Sequence, residues 1–386
     1  MRPTRLLVNG LLNMSLHVIR QIRVHTVSIP AKTVHSHGSG DVGGINSVIL
    51  EVVTDTGITG WGEASPWPVF TGTAEGNAAA LHVHLRPHLI GQDPVLVEKH
   101  LNTAGKVLVG HNEAKCALET ALLDITGQIY GLSISELVGG RQRDDMAMSF
   151  SVANGDFDKD LEDIAELWAD GVRLFKLKTG FSEHSFDVLR LEKLRDIYGD
   201  DISLRVDYNQ GLPAYDALRR LRDIEVFKPA FVEQPVKMHE RQALADITRA
   251  IDTPIMADES VFDPREAMDG AHMGIANIFS LKIMKSGGIR RALEVAAIAR
   301  AAGIEVYGGC MFETGIAHAA GSHLMAAVPD LLLGCEFYMS TYYIQEDILT
   351  TPFPVKNGRV YVPKGPGLGV KVDTDLLARY RVSLIE

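Results

Sequence analysis

From about residue 145 onward the chain settles into a strict alternation. Short apolar runs end in polar residues, and each is followed by an amphipathic helical stretch. The runs are MAMSFSVA (146–153), VRLFKLK (172–178), ISLRVDY (202–208), AFVEQP (230–235), PIMADES (254–260), IFSLKIM (278–284), IEVYGG (304–309) and LLLGCEF (331–337). A strand apolar on both faces must be covered on both faces, and a helix after every strand supplies that cover. Eight such units at regular intervals predict a (β/α)8 barrel. A doubly wound open sheet is the competing arrangement, but no G-x-G-x-x-G opens the first unit.

The chain ahead of residue 145 has a different character. LHVIRQIRVHTVSI and INSVILEVV, within residues 16–61, are rich in β-branched residues and read as strands. Between them AKTVHSHGSGDVGG has no apolar period and reads as a loop. TDTGITGWGE has the turn chemistry of a hairpin. Residues 73–140 switch to helical patterning. EAKCALETALLDITGQIYG places Ala114, Ala117, Leu118, Ala121 and Ile125 at three- and four-residue spacing, with Gly131 as the stop. Strands followed by helices predict a separate α+β domain over 16–140, ahead of a barrel over 141–370. The stretch MRPTRLLVNGLLN is too short and interrupted for a signal-peptide core. Residues 1–15 therefore read as a disordered extension, or as sequence upstream of a start at Met14.

Composition removes several classes of partner. With 38 Lys and Arg against 49 Asp and Glu, the net charge is −11. Nucleic acid and anionic membrane surfaces want clustered cations, so neither is expected as a partner. No apolar run approaches the ~20 residues that span a bilayer. Cys116, Cys310 and Cys335 are scattered and odd in number. They give no disulfide framework or zinc spacing, and a reducing compartment, the cytoplasm, is the expectation.

In such a barrel, chemistry sits at the carboxyl ends of the strands. The second run ends in Lys176 and Lys178, the third in Asp207 and Asn209, the fourth in Glu233, the fifth in Asp258 and Glu259, and the sixth at Lys282. Each step is one strand–helix–strand unit, so these side chains should converge on one mouth. Three carboxylates in one cavity repel unless a positive charge sits among them. A hard divalent cation, Mg²⁺ with Mn²⁺ as an alternative, suits an all-oxygen set. Lys178 and Lys282 flank the carboxylates from opposite sides. An ordinary lysine is protonated at neutral pH, but a neighbouring cation favours its neutral form. Lys176 shares the face of Lys178 and supplies that neighbour. The set can therefore move a proton on the carbon beside a substrate carboxylate, with the metal stabilising the enediolate.

These motifs resemble the enolase superfamily, and within it the muconate-lactonizing subgroup. The carriers are KLK at 176–178, DYN at 207–209, EQP at 233–235, ADES at 257–260 and LKIMKSGG at 281–288, with MFETG at 311–315 and GPGLG at 365–369. The resemblance covers the chain from about residue 16. It implies a TIM-type (β/α)7β barrel, an N-terminal α+β capping domain, and a C-terminal segment over 371–386 that returns to the cap. It also implies Mg²⁺ on Asp207, Glu233 and Asp258, and Lys178 and Lys282 as the acid–base pair. Lys176, Asn209, Glu259 and Glu313 would support them, and the enzyme would be a homo-oligomer acting on a small carboxylate. The specificity loops map to 32–45 and 65–72. The first offers His35 and His37, the second Trp67 and Phe70.

Related dipeptide epimerases carry an Asp-x-Asp after the last barrel strand. Here that region reads CEFYMSTYY, which argues against a dipeptide substrate. Four readings remain: a muconate-type cycloisomerase, which the resemblance favours; a racemase or epimerase of an amino-acid derivative; a dehydratase of a hydroxylated acid such as a hydroxyproline; and a non-catalytic barrel, against which the intact lysine and carboxylate set argues.

Overall fold

The computed structural model describes residues 17–37 and 40–386. The extension read over 1–15 lies outside the described residues, and so does the side chain of His37. Strands β1 (Ile19–His37), β2 (Gly40–Thr54) and β3 (Thr59–Ala64) form an antiparallel sheet. A last strand, β14 (Arg381–Ile385), pairs with the other edge of β1. AKTVHSHGSGDVGG is not the loop its composition suggested. Pro30 pairs with Gly44, His35 with Val42 and His37 with Gly40, so the segment extends both strands as a long hairpin. Backbone pairing holds these arms, and a register shift between Pro30 and His35 bends them. No apolar period is needed for either effect.

The helix Asn112–Tyr130 packs on β3 and ends at Gly131, whose φ of 70° is the left-handed stop that glycine tolerates. The contact is close enough that a Cβ on Gly62 would lie 1.9 Å from the Ala117 carbonyl oxygen. The glycines of TGWGEA thus serve helix-on-sheet packing as well as hairpin formation.

Seven strands form a parallel sheet in sequence order: β5 (Ser149–Val152), β6 (Leu174–Lys178), β7 (Ser203–Asp207), β8 (Val232–Glu233), β9 (Ile255–Ala257), β10 (Ile278–Leu281) and β11 (Glu305–Gly308). The first apolar run is split. Its start, β4 (Asp145–Ala147), joins β12 (Val355–Lys356) and β13 (Arg359–Tyr361) in a small antiparallel sheet. The eighth run makes no ladder. Gly334 sits at φ 79°, outside the extended region, and only Cys335 bridges its neighbours. Those single parallel bridges reach both Met148 and Gly308, so the sheet curls until one residue touches both edges.

Two carboxylates from the antiparallel unit dock it on the parallel one. Glu63 accepts hydrogen bonds from the Thr314 and Ala317 amides at 3.0 and 3.1 Å, at the start of the helix Gly315–Ala327. Glu119 accepts from the Arg290 amide at 3.2 Å, at the start of the helix Ile289–Ala301. Helix N-termini present unpaired N–H groups and a positive dipole end, which a buried carboxylate satisfies. This docking sets the hairpin β1–β2 and the 65–72 loop over the carboxyl ends of the parallel strands.

Candidate active site

Strand register brings the charged residues together. Lys178 of β6 stands opposite Asp207 of β7, and Asp207 opposite Glu233 of β8. Asp258 follows β9 and Lys282 follows β10. All five side chains are buried or nearly so. The backbone beside them is strained: Asn209 and Gln234 adopt φ of 41° and 33°, which non-glycine residues visit rarely and mostly at functional sites.

Lys176 lies deepest. Its Nζ is 2.7 Å from Glu233 Oε2, 2.7 Å from Glu336 Oε1 and 3.4 Å from Asp207 Oδ2. Burial works against its charge, but Glu233, Glu336 and Asp207 outweigh that and hold the ammonium well above the usual lysine range. Lys178 Nζ donates to Asp207 Oδ2 at 2.5 Å and to Asn209 Oδ1 at 3.1 Å. Burial opposes ionisation of Asp207 too, yet Lys178 and Lys176 bring it down to about 2. Across the mouth, Lys282 Nζ lies 2.5 Å from Asp258 Oδ2, and Lys285 Nζ 2.8 Å from Asp258 Oδ1. These two ammonium groups overcome burial and hold Asp258 below the usual carboxylate range.

The remaining acids behave differently. Burial, with Asp207 adding like charge, pushes Glu233 well up. Burial also raises Glu259 to about 7, with Asp258 and Asp207 contributing, and Glu313 to about 8. Asn209 Nδ2 donates to Glu259 Oε1 at 3.4 Å, and Glu313 Oε1 accepts from the Met311 amide at 2.9 Å.

The donor set fits a hard divalent cation in kind: three carboxylates on consecutive strands, all oxygen. Glu233 Oε1 is buried with no hydrogen-bond partner, the orphan that an added cation would satisfy. The ammonium groups of Lys176, Lys178 and Lys282 supply counter-charge to the same carboxylates. Among the described residues no three His, Cys, Asp or Glu side chains close on one point that could hold an ion.

The specificity residues divide. His35 lines the cavity with its ring 4.4 Å from that of Tyr343, and burial with the Lys178 charge lowers it to about 3, so it is neutral. Trp67 lines the same cavity, edge-on to Phe312 at 5.7 Å. Phe70 places its ring 5.4 Å from Lys282 Nζ. His37 is at the hairpin tip, and its side chain is among those not described. The enclosed space between Lys178 and Lys282 is only about 40 Å³, well short of the hundreds of Å³ usual for ligand sites.

Two residues escaped the sequence reading. Glu336 ends the eighth run, so the strand-end rule applied to LLLGCEF would have found it; Ser151 Oγ donates to it at 3.1 Å. Lys285 follows Lys282 by one helical turn, but its partner Asp258 is remote in sequence.

A curled parallel sheet with lysines and carboxylates at the carboxyl ends of its strands, covered by an antiparallel unit, is the enolase-superfamily arrangement. Residues 19–139 match the mandelate racemase / muconate lactonizing enzyme N-terminal domain, and residues 159–376 the enolase C-terminal domain-like family. The chain belongs to the mandelate racemase / muconate lactonizing enzyme family. It is 33% identical to muconate cycloisomerase 1 of Acinetobacter baylyi over 86% of this chain and 91% of the relative. Among solved structures it resembles a muconate lactonizing enzyme from Pseudomonas fluorescens complexed with muconolactone (TM-score 0.92, 32% identity, 95% of this chain and 100% of that one). It also resembles a muconate cycloisomerase from Azorhizobium caulinodans (TM-score 0.84, 42% identity, 95% and 99%).

Proposed function

We propose that this protein is a muconate-type cycloisomerase, an isomerase that moves a proton on the carbon beside a substrate carboxylate. The observation that carries this reading is that Lys178 and Lys282, at the carboxyl ends of β6 and β10, line one cavity, each paired with a carboxylate from the strand ends between them, Asp207 and Asp258. In the forward direction one carboxylate of the diacid closes on the carbon–carbon double bond. The displaced electron pair moves into the other carboxylate as an enediolate, and a lysine delivers a proton to the carbon beside it. The same lysine takes that proton back in the reverse direction, and the lysine on the far face holds the substrate carboxylate by charge. Asp207, Glu233 and Asp258 would hold Mg²⁺, with Mn²⁺ as a substitute, and that ion supplies Lewis-acid stabilisation of the developing oxyanion. Lys176 stays cationic between Glu233 and Glu336 and fixes the carboxylates.

In this reading the eighth run closes the sheet as a (β/α)7β barrel over 141–370. The α+β cap spans 16–140, and the segment 371–386 returns to it. The pairing of β14 with β1 and the double bridge of Cys335 support that division. Among the described residues no helix is long and apolar enough to cross a membrane, and the three cysteines are free and buried. The same reading takes the protein as a cytoplasmic homo-oligomer acting on a small carboxylate, with neither nucleic acid nor membrane as partner.

The test is incubation of cis,cis-muconate in D2O with Mg²⁺. A lactone carrying one deuterium beside its free carboxylate is the expected product, and unchanged muconate would remove the reading. Asp258→Asn should raise the Mg²⁺ dissociation constant at least about tenfold, because one of three charged oxygen donors becomes a neutral amide. An unaltered calorimetric titration would take Asp258 out of the ligand set.

A further inference from the structure

Lys285 is 1% exposed and is not among the residues that line the cavity between Lys178 and Lys282. A substrate in that cavity would not touch it. Burying an ammonium group is costly unless acceptors meet it. Lys285 Nζ donates to two atoms of one residue, 2.6 Å to the Asp258 carbonyl and 2.8 Å to Asp258 Oδ1. Lys176 and Lys178 divide their contacts among different residues instead. Gripping the carbonyl and the carboxylate together fixes the side-chain torsions of Asp258. The backbone of Asp258 is fixed as well. Its amide donates to Gln234 Oε1 at 3.1 Å, and its carbonyl accepts from the Val261 amide at 3.2 Å. Oδ1 is thus tied to the scaffold, and Oδ2 is the oxygen on Lys282, which does line the cavity.

Lys285 sits on a one-turn helix, Ile283–Ser286, between Lys282 and the left-handed Gly287. A single turn has little stability of its own, and contacts from the antiparallel unit hold this one. Asn112 Nδ2, at the start of the helix Asn112–Tyr130, donates to the Lys285 carbonyl at 2.7 Å. The Ser65 amide lies 3.4 Å from Met284 Sδ. Gly288 passes so close to Glu119 that a Cβ there would stand 1.8 Å from Oε2. The antiparallel unit, Lys285 and Asp258 therefore form one connected series of contacts.

We infer that Lys285 is a positioning residue for the divalent cation: it holds Asp258 in the orientation that leaves Oδ2 on the side of Lys282, and the docked antiparallel unit holds Lys285. The inference rests on the reading of Asp207, Glu233 and Asp258 as the holders of that ion. Two roles for Lys285 predict opposite signs. A mere counter-charge competes with Mg²⁺ for Asp258, and its removal would tighten binding. A residue that orients the ligand loosens binding when it is removed. Outer partners of metal ligands are worth about 10- to 100-fold in affinity.

The test titrates Mg²⁺ alone, by calorimetry, into the full chain and its Lys285→Met and Asp258→Asn variants. Each titration is made well below the variant's melting temperature, so that a general loss of stability does not register. The dissociation constant of Lys285→Met is expected to rise at least about tenfold. An unchanged or smaller constant would overturn the inference. Should Lys285→Met fail to fold, Asn112→Ala decides, because Asn112 is half-buried, lies outside the cavity lining and reaches Asp258 only through Lys285. Its constant should rise at least about threefold, and an unchanged value would overturn the inference. Binding weakened in Asp258→Asn but not in Lys285→Met overturns the positioning role and leaves the metal reading standing. Absence of Mg²⁺ binding by the native protein overturns both.

Discussion

Lys178→Ala is expected to lower the rate of lactone formation about 10²–10⁴-fold, the range over which a positioned acid or base contributes, while the protein stays folded. Lys178 sits at the mouth, held by Asp207 Oδ2 and Asn209 Oδ1, with 13% of its side chain exposed. Its ammonium pairs with Asp207 at the mouth, so truncation removes the acid–base group together with one of that carboxylate's two ammonium partners, and a lower melt is expected beside the lost turnover. Asp207 loses one counter-charge but keeps Lys176 at 3.4 Å. The check is kcat measured beside a circular dichroism melt. Turnover within threefold of the native enzyme would remove Lys178 from proton transfer, whatever the melt shows. Lys282→Ala should lose turnover by a comparable factor. It should also melt lower, because Asp258 is then left with Lys285 as its only ion-pair partner among the described residues.

The strand-end residues were legible because they obey a rule that ties position to chemistry. A polar residue closing an apolar run in a barrel of this kind has one place to point, and Lys178, Asp207, Glu233, Asp258 and Lys282 all close such runs. Glu336 obeys the same rule but ends a run broken by Gly334, so the strand it closes barely exists as a ladder. The segment 31–44 misled because backbone pairing leaves no trace in side-chain pattern. A hairpin arm of Gly, Ser and His reads as a loop until its partner strand is known. The docking roles of Glu63 and Glu119 were also illegible. Each caps a helix that begins about 170 to 250 residues later in the chain, and spacing carries no information at that range.

Lys176→Met is expected to destabilise the metal-free protein by about 3–5 kcal/mol, the usual result of removing one member of a buried ion cluster. Methionine matches the length of the stem and leaves little cavity, so the loss is electrostatic. Glu233, Glu336 and Asp207 would then face one another without the ammonium that now sits 2.7, 2.7 and 3.4 Å away. Protonation offers a partial escape. Burial already favours the neutral form of Glu233, so with its folded-state pKa above the unfolded one, stability is retained at low pH and lost as pH rises through that folded value. The variant should therefore melt closest to the native protein in mild acid and fall away towards neutrality. Mg²⁺ should reverse much of the deficit, since a divalent cation among the same oxygens supplies the missing charge and binds only the folded state. The measurement is a melting temperature for both proteins in EDTA and in excess Mg²⁺. A gap of several degrees in EDTA that narrows with Mg²⁺ identifies Lys176 as the counter-ion of the carboxylate set. Equal melting temperatures in EDTA would mean that the carboxylates do not depend on it, and the account of why three acids can be buried side by side would have to be rebuilt.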